Sequence, residues 1–291
     1  MASEQARHPP PPPPILPPAI QNHWKSVALA KPGILPEVPV SDYISKHWNR
    51  LTSGDDTMHV ISAYYPLDPV VQSGPQCGIV ALSMATQLLT PEETVTADRI
   101  LNEARVLKFT AKGEMFSVEN MKVLAETILC SPDAEVAHTA NITSADIVLH
   151  LLRGKPLLVP YDSDRNFEPC RKDGCSAHWA VLHGFCMVVP EEAVHLAQDH
   201  LTKDHGQLHH LMPGIRQVPE TLIRQLVGVA TNVFVYAHQG KSSRYGLWSL
   251  KDLITSNNNL TKVTTRYDAS EFVMPEGGVA EGLAGKVLML R

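Results

Sequence analysis

Gln72-Ser-Gly-Pro-Gln-Cys-Gly-Ile-Val-Ala-Leu-Ser-Met-Ala-Thr-Gln-Leu-Leu89 is the stretch whose reading decides the fold. Gly74-Pro75 forbids helix before Gln76, because the proline ring restricts the residue ahead of it. From Cys77 onward small and apolar residues run all the way round, the pattern of a helix buried on every side. Pro91 ends it. Cys77 therefore sits in the first turn of a buried helix. A helix N-terminus stabilises a thiolate through its free N–H groups and macrodipole. Gly78 leaves room beside the sulfur for a substrate carbonyl, and Gln72 or Gln76 can donate a side-chain N–H to a developing oxyanion.

A fully buried helix needs elements on both sides, and the flanking sequence supplies them in a segregated order. Before it, Ser41 caps a short helix carrying Ile44, Trp48 and Leu51, and His59 to Tyr65 is extended. After it come three helices. The first runs from Thr96 to about Phe109 with Ile100, Leu101, Ala104 and Leu107 on one stripe. A second, capped by Ser117, buries Met121, Leu124, Ala125 and Ile128, and a third spans Ser144 to Arg153 and stops at Gly154. The period then changes. Pro156 to Tyr161 reads as a short buried strand, Asp162 to Ser176 as a polar loop, and Ala177 to Val189 as a long strand. Residues 190 to about 228 read as a histidine-rich insertion with no strand period. Its His195, His200, His205, His209 and His210 recur every four or five residues except for the last adjacent pair, as on one helix face. Strands follow at Asn232 to His238, Arg244 to Trp248 and Lys286 to Leu290, with a helix at Ser249 to Ile254. Helices first and strands second predict an α+β domain over residues 41–291, with an antiparallel sheet in the C-terminal half.

Residues 1–40 are different. They hold 11 of the 23 prolines, including the unbroken run Pro9 to Pro14. Such a run favours solvated polyproline II, a disordered arm that serves as a spacer or docks onto aromatic grooves.

A net charge of −5 gives no basic field for nucleic acid or anionic membranes, and no apolar run approaches a bilayer span. The N-terminus lacks an apolar export signal, so a cytoplasmic location is expected. Five cysteines (Cys77, Cys130, Cys170, Cys175 and Cys186) then read as free thiols. His178, 101 residues beyond Cys77, opens the long strand and is the natural base for a cysteine nucleophile. His183, five residues on, falls on the opposite strand face. Gln239 is the first candidate to orient the imidazole, with Asn232 and Asp252 behind it. A zinc site from Cys170, Cys175, His178 and His183 has imperfect spacing, so no metal and no cofactor is expected.

Further blocks carry a resemblance. Gly74-Pro-Gln-Cys-Gly78, Gly113-Glu-Met-Phe-Ser-Val118, Pro156-Leu-Leu-Val-Pro-Tyr-Asp162, Glu168-Pro-Cys170, Ala177-His-Trp-Ala-Val181 and Gln239-Gly-Lys-Ser242 resemble the actin maturation proteases. The resemblance implies a papain-like cysteine peptidase related to bacteriocin-processing peptidases, with Cys77 and His178 catalytic. Gln72, five residues before the cysteine, takes the oxyanion role better than Gln76. The aspartate usual in the related peptidases has no match where Gln239 stands. The implied reaction is removal of the N-acetylated first residue, cysteine or acidic, from immature actin. The implied partner of Pro9 to Pro14 is profilin. Arg165, Lys172 and Lys241 are cations near the site that can meet an acidic substrate. A non-catalytic profilin and actin adaptor, or another Cys–His acyl-transfer enzyme, would use the same scaffold.

Overall fold

Cys77–Leu89 forms a helix with all of Gly78 to Thr86 buried, so the all-round apolar pattern has its expected consequence. The structure is a computed structural model that describes residues 39–91, 93–130, 133–211, 218–262 and 269–291. The polyproline run lies outside these residues.

In chain order the helices are α1 (Pro39–Lys46), α2 (Trp48–Thr52), α3 (Cys77–Leu89), α4 (Ala97–Val106), α5 (Val118–Leu129), α6 (Ser144–Leu152), α7 (Glu191–Ala197), α8 (Glu220–Val229), α9 (Leu250–Asn258) and α10 (Gly278–Leu283). The strands are β1 (His59–Tyr64), β2 (Ala134–His138), β3 (Leu157–Asp162), β4 (Ala177–Val189), β5 (Leu201–Lys203), β6 (Leu208–Leu211), β7 (Asn232–Gln239), β8 (Gly246–Ser249) and β9 (Lys286–Leu290). Caps set several boundaries. The Thr96 and Ser117 hydroxyls accept from the backbone N–H of Arg99 and Asn120, and Thr143 with Asp146 forms a capping box.

Among the described residues the strands form one α+β sheet in the order β2-β9-β3-β4-β1-β6-β5, with β7 also on β4 and β8 on β7. Every pairing is antiparallel except β1 with β6. Strand β4 organises it. β3 pairs with its first half and β1 with its second, while β7 covers residues 180–188 from the other edge. One sheet face buries Ala180, Leu182, Phe185, Met187 and Val189 against α6, α7, α8 and α9. The other buries Trp179 and Val181 against α3, α4, α5 and α10.

The inward face of β4 moves from even to odd positions across His183, where the register to β7 slips between Leu182 and Gly184. Such a bulge adds one residue to a strand and re-aims the side chains beyond it. Gly184 sits there because nothing larger fits. A Cβ on it would lie 2.4 Å from the Ala63 carbonyl oxygen and 3.0 Å from the Tyr64 Cα. Both neighbours are backbone, so neither can swing aside. Gly184→Ala is expected to cost about 3 kcal/mol through overpacking; a denaturant midpoint equal to wild type would contradict this.

Three sequence expectations need correction. Helix α1 starts at Pro39, whose fixed φ suits a first turn, so Ser41 lies inside it and its hydroxyl bonds to Asp204 instead of capping. Strand β2 lies where only a connection is legible, because its burial alternates weakly and its one partner, β9, is about 150 residues away. The insertion at 190 to about 228, read as lacking a strand period, holds α7, the short strands β5 and β6, and most of α8. Its histidines do not share a helix face. His195 lies on α7, His200 in a 3-10 turn, His205 between strands, and His209 and His210 on β6.

Candidate active site

Cys77 is the first residue of α3, and its side chain is half-buried. Burial pushes its thiol up, while the backbone N–H groups of Trp179, Gly78 and Cys77 itself, and more weakly the Lys241 ammonium, pull it down. The first of these N–H groups belongs to the residue that follows His178 in β4. Helix α3 packs on that strand directly.

His178 shares a register position with Tyr161 of β3, whose side chain faces the α6 and α9 side of the sheet. Its Nδ1 lies 3.2 Å from the Trp179 carbonyl oxygen. A carbonyl can only accept, so Nδ1 carries the proton and Nε2 holds a bare lone pair. That Nε2 is buried and has no hydrogen-bond partner among the described residues. The ring sits 5.9 Å from Tyr161 and 6.2 Å from Phe167, centroid to centroid. Burial lowers the His178 pKa to about 4, and Lys241 adds to the effect. No hydrogen bond joins Cys77 to His178 among the described residues. The resting pair is a neutral thiol and a neutral imidazole, brought to the same strand end but not in contact through a proton.

Of the two glutamines, Gln72 is held at two points: its backbone N–H donates to the Gly240 carbonyl at 2.7 Å and its Nε2 donates to the Gly74 carbonyl at 2.5 Å, while its Oε1 is buried with no hydrogen-bond partner among the described residues. A Cβ on Gly240 would fall 2.7 Å from that Oε1, so glycine lets the β7 end close on the loop before Cys77. Gln76 caps α3 by position without a side-chain hydrogen bond. It packs under Gly113, where a Cβ would lie 2.5 Å from its Cγ.

Gln239 is buried, but its Oε1 accepts the Lys241 N–H at 2.6 Å. It closes the turn and does not hold the imidazole. Asn232 lies at the far end of β7, paired with Val188, and Asp252 is an exposed residue in the first turn of α9. The group on His178 is the Trp179 main chain, which no side-chain pattern announces. Gly78 also departs from expectation. A Cβ there would meet Met121 Cε at 2.8 Å and Met115 Cβ at 3.0 Å, so this glycine serves helix packing and does not open a path to the sulfur.

Two acidic residues shape the rim, and neither stands out in the sequence by spacing. Asp162 is fully buried at the end of β3; its carboxylate accepts the N–H of Lys172 and of Gly174, and its carbonyl accepts from Cys170. It therefore pins the loop that carries Phe167 beside His178. Glu114 does the same for the loop over Gln76, taking the N–H groups of Ala111, Lys112 and Val273. The adjacent Met115 carbonyl accepts the Trp179 indole N–H at 2.8 Å. His183 points elsewhere: its Nδ1 donates to the Tyr65 carbonyl at 2.8 Å, and its Nε2 accepts from His238. Among the described residues no three His, Cys, Asp or Glu side chains converge as a metal site.

A family model described as "Actin maturation protease-like, C-terminal domain" matches residues 67–186, the span from the Cys77 loop through most of β4. The actin maturation protease of Danio rerio is 36% identical over 225 residues, which is 76% of this chain and 71% of that protein. The chain belongs to the actin maturation protease family. The Homo sapiens protein is 38% identical over 77% of this chain, and the Drosophila melanogaster protein 30% identical over 76%. The chain spans 64% of the length of the human protein and 66% of the fly protein. A Bacillus anthracis protein described as a C39-like peptidase aligns over 62% of this chain and all of its own, with a TM-score of 0.29 and 14% identity. Within the actin maturation protease family, then, this chain presents a helix-borne thiol and a strand-borne histidine on one α+β sheet. Among the described residues no helix is long and apolar enough to cross a membrane.

Proposed function

We propose that the chain is a cysteine aminopeptidase that removes the N-acetylated first residue, cysteine or acidic, from immature actin in the cytoplasm. The observation that carries this is Cys77 as the first residue of a buried helix packed on β4, the strand whose start carries a His178 with a bare, buried Nε2. Family membership supplies actin as the substrate. An acetylated terminus offers no free amine to grip, so attack falls on the first peptide carbonyl.

In the proposed reaction His178 Nε2 takes the thiol proton as the sulfur adds to that carbonyl. Gln72 has a second amide hydrogen beyond the one given to Gly74, and this donates to the oxyanion. Collapse breaks the peptide bond, and His178 hands its proton to the departing amine of the second residue. Water then releases the acetylated amino acid from Cys77. To reach the thiol His178 gives up its bond to the Trp179 carbonyl, about 1 kcal/mol. That is small against the roughly 10²- to 10⁴-fold supplied by a positioned base, and catalytic hydrogen bonds commonly tighten only once substrate is bound. The chain's own groups and water suffice for every step. Pro9 to Pro14 is proposed to bind profilin, so that capture of the profilin–actin complex raises the local substrate concentration.

Incubating the full chain with N-acetylated immature actin and weighing the actin N-terminal peptide tests the reading. The peptide is expected to lose one acetylated residue; an unshortened peptide would overturn it.

A further inference from the structure

Phe167 lies on the loop that Asp162 pins, and its backbone is in the left-handed region, with φ at +63°. That region suits glycine; an aromatic residue there is an outlier that persists only where its surroundings hold it. Here they do. Asp164 Oδ1 accepts the N–H of Asn166 at 2.7 Å and of Glu168 at 2.9 Å, and the Asp164 N–H donates to the Glu168 carbonyl at 2.9 Å. Ser163 and Pro169 pair as an antiparallel bridge at the base of this turn. The Phe167 carbonyl itself accepts the Tyr161 hydroxyl at 2.8 Å. Core packing does not explain the residue, because Phe167 is half-buried and joins neither hydrophobic core. Its ring goes to His178 instead, 6.2 Å away centroid to centroid with the planes inclined at 60°. Tyr161 stands 5.9 Å from the same imidazole.

We infer that Phe167 is a positioning residue for His178, an aromatic wall that with Tyr161 sets the tilt of the imidazole. The inference rests on the peptidase reading above and deepens it. Among the described residues no side chain is hydrogen-bonded to His178; its ring bonds the Trp179 carbonyl. The proposed reaction gives that bond up, and ring contacts then limit how the imidazole turns. An inclined aromatic pair prefers a definite geometry, so the wall narrows the orientations open to Nε2. Misplacing a catalytic group by about 1 Å can cost about 10²-fold in rate. The left-handed backbone is what aiming this ring requires. A glycine would relax the turn and carry no wall.

The test compares full-length wild type, Phe167→Ala, Phe167→Gly and Phe167→Tyr on N-acetylated immature actin, reading kcat, KM and the thermal midpoint of each. Phe167→Ala is expected to lower kcat by about 10- to 100-fold with KM within about twofold of wild type, because the wall acts on the base and not on substrate binding. Phe167→Gly should be equally slow yet melt a few degrees above Phe167→Ala, because glycine accepts the left-handed backbone. Phe167→Tyr, which keeps the ring, should restore kcat. Rate would then follow the ring and stability the backbone, a separation that a purely structural role does not give. Phe167→Gly turning over at the wild-type rate would overturn the assignment while leaving the peptidase reading intact, and so would a loss that lies wholly in KM. Wild type that trims no actin would sink both.

Discussion

Cys77→Ala is expected to reduce trimming of N-acetylated actin by at least about 10³-fold, because loss of a covalent nucleophile removes the reaction path itself. The same change should leave the fold nearly untouched. Cys77 stands at the first position of α3, where alanine is a better helix former, and its sulfur accepts weak main-chain contacts but bridges no pair of elements. Parallel measurements decide the matter: initial rates by mass of the actin N-terminal peptide, and thermal midpoints of both proteins. Equal trimming by the two proteins would show that another group does the chemistry. A collapsed midpoint would mean that the thiol is structural; Cys77→Ser, which keeps size and polarity, would then separate loss of fold from loss of nucleophile.

Acid should unfold this protein early. Burial lowers four histidines below the ordinary value near 6.5: His150 to about 4, His178 to about 4, His238 to about 4 and His183 to about 3. Desolvation is the largest cause in each; for His150, His178 and His183 it outweighs a carbonyl acceptor that favours the charged ring. His150 lies 3.1 Å from the Pro156 carbonyl and donates to it. His183 accepts from His238 at 3.0 Å while donating to Tyr65, so a second proton on His183 would face an N–H head-on. The sign follows from linkage. Between about pH 6.5 and pH 4 the unfolded chain binds more protons than the folded one, so stability is complete above that window and is lost as pH falls through it. Each separate group contributes about 3 kcal/mol, and the coupled His183–His238 pair less than twice that. The total rivals the whole stability of a typical domain. The thermal midpoint is expected to fall steeply from about pH 7 to about pH 4.5; a flat profile would refute the account. His150→Gln, remote from Cys77, should make the slope shallower.

What the sequence revealed and what it concealed divide along physical lines. Helix α3 was legible because Gly74-Pro75 forbids helix and an all-apolar run demands burial. His178 was legible because it opens a strand after a polar loop. Short strands were not. β5 has three residues, and β6 finds its parallel partner β1 nearly 150 positions away, so neither leaves a local period to read. The group that holds His178 was beyond reach for a different reason. It is a carbonyl, and every residue has one. Gly78 shows the reverse error: a glycine beside a reactive sulfur suggests access, yet Met115 and Met121 fill the space.

Strand β4 has a consequence for how this family can diverge. The same thirteen residues carry His178, receive helix α3, and join β1, β3 and β7. A change there is judged twice, once by the chemistry and once by the architecture, so drift in this strand has few open routes. The β5–β6 hairpin at the end of the sheet answers to the second judge alone: its turn carries no group of the site, but Asp204 accepts the Ser41 hydroxyl and His205 meets Ser45, so it ties α1 to the sheet.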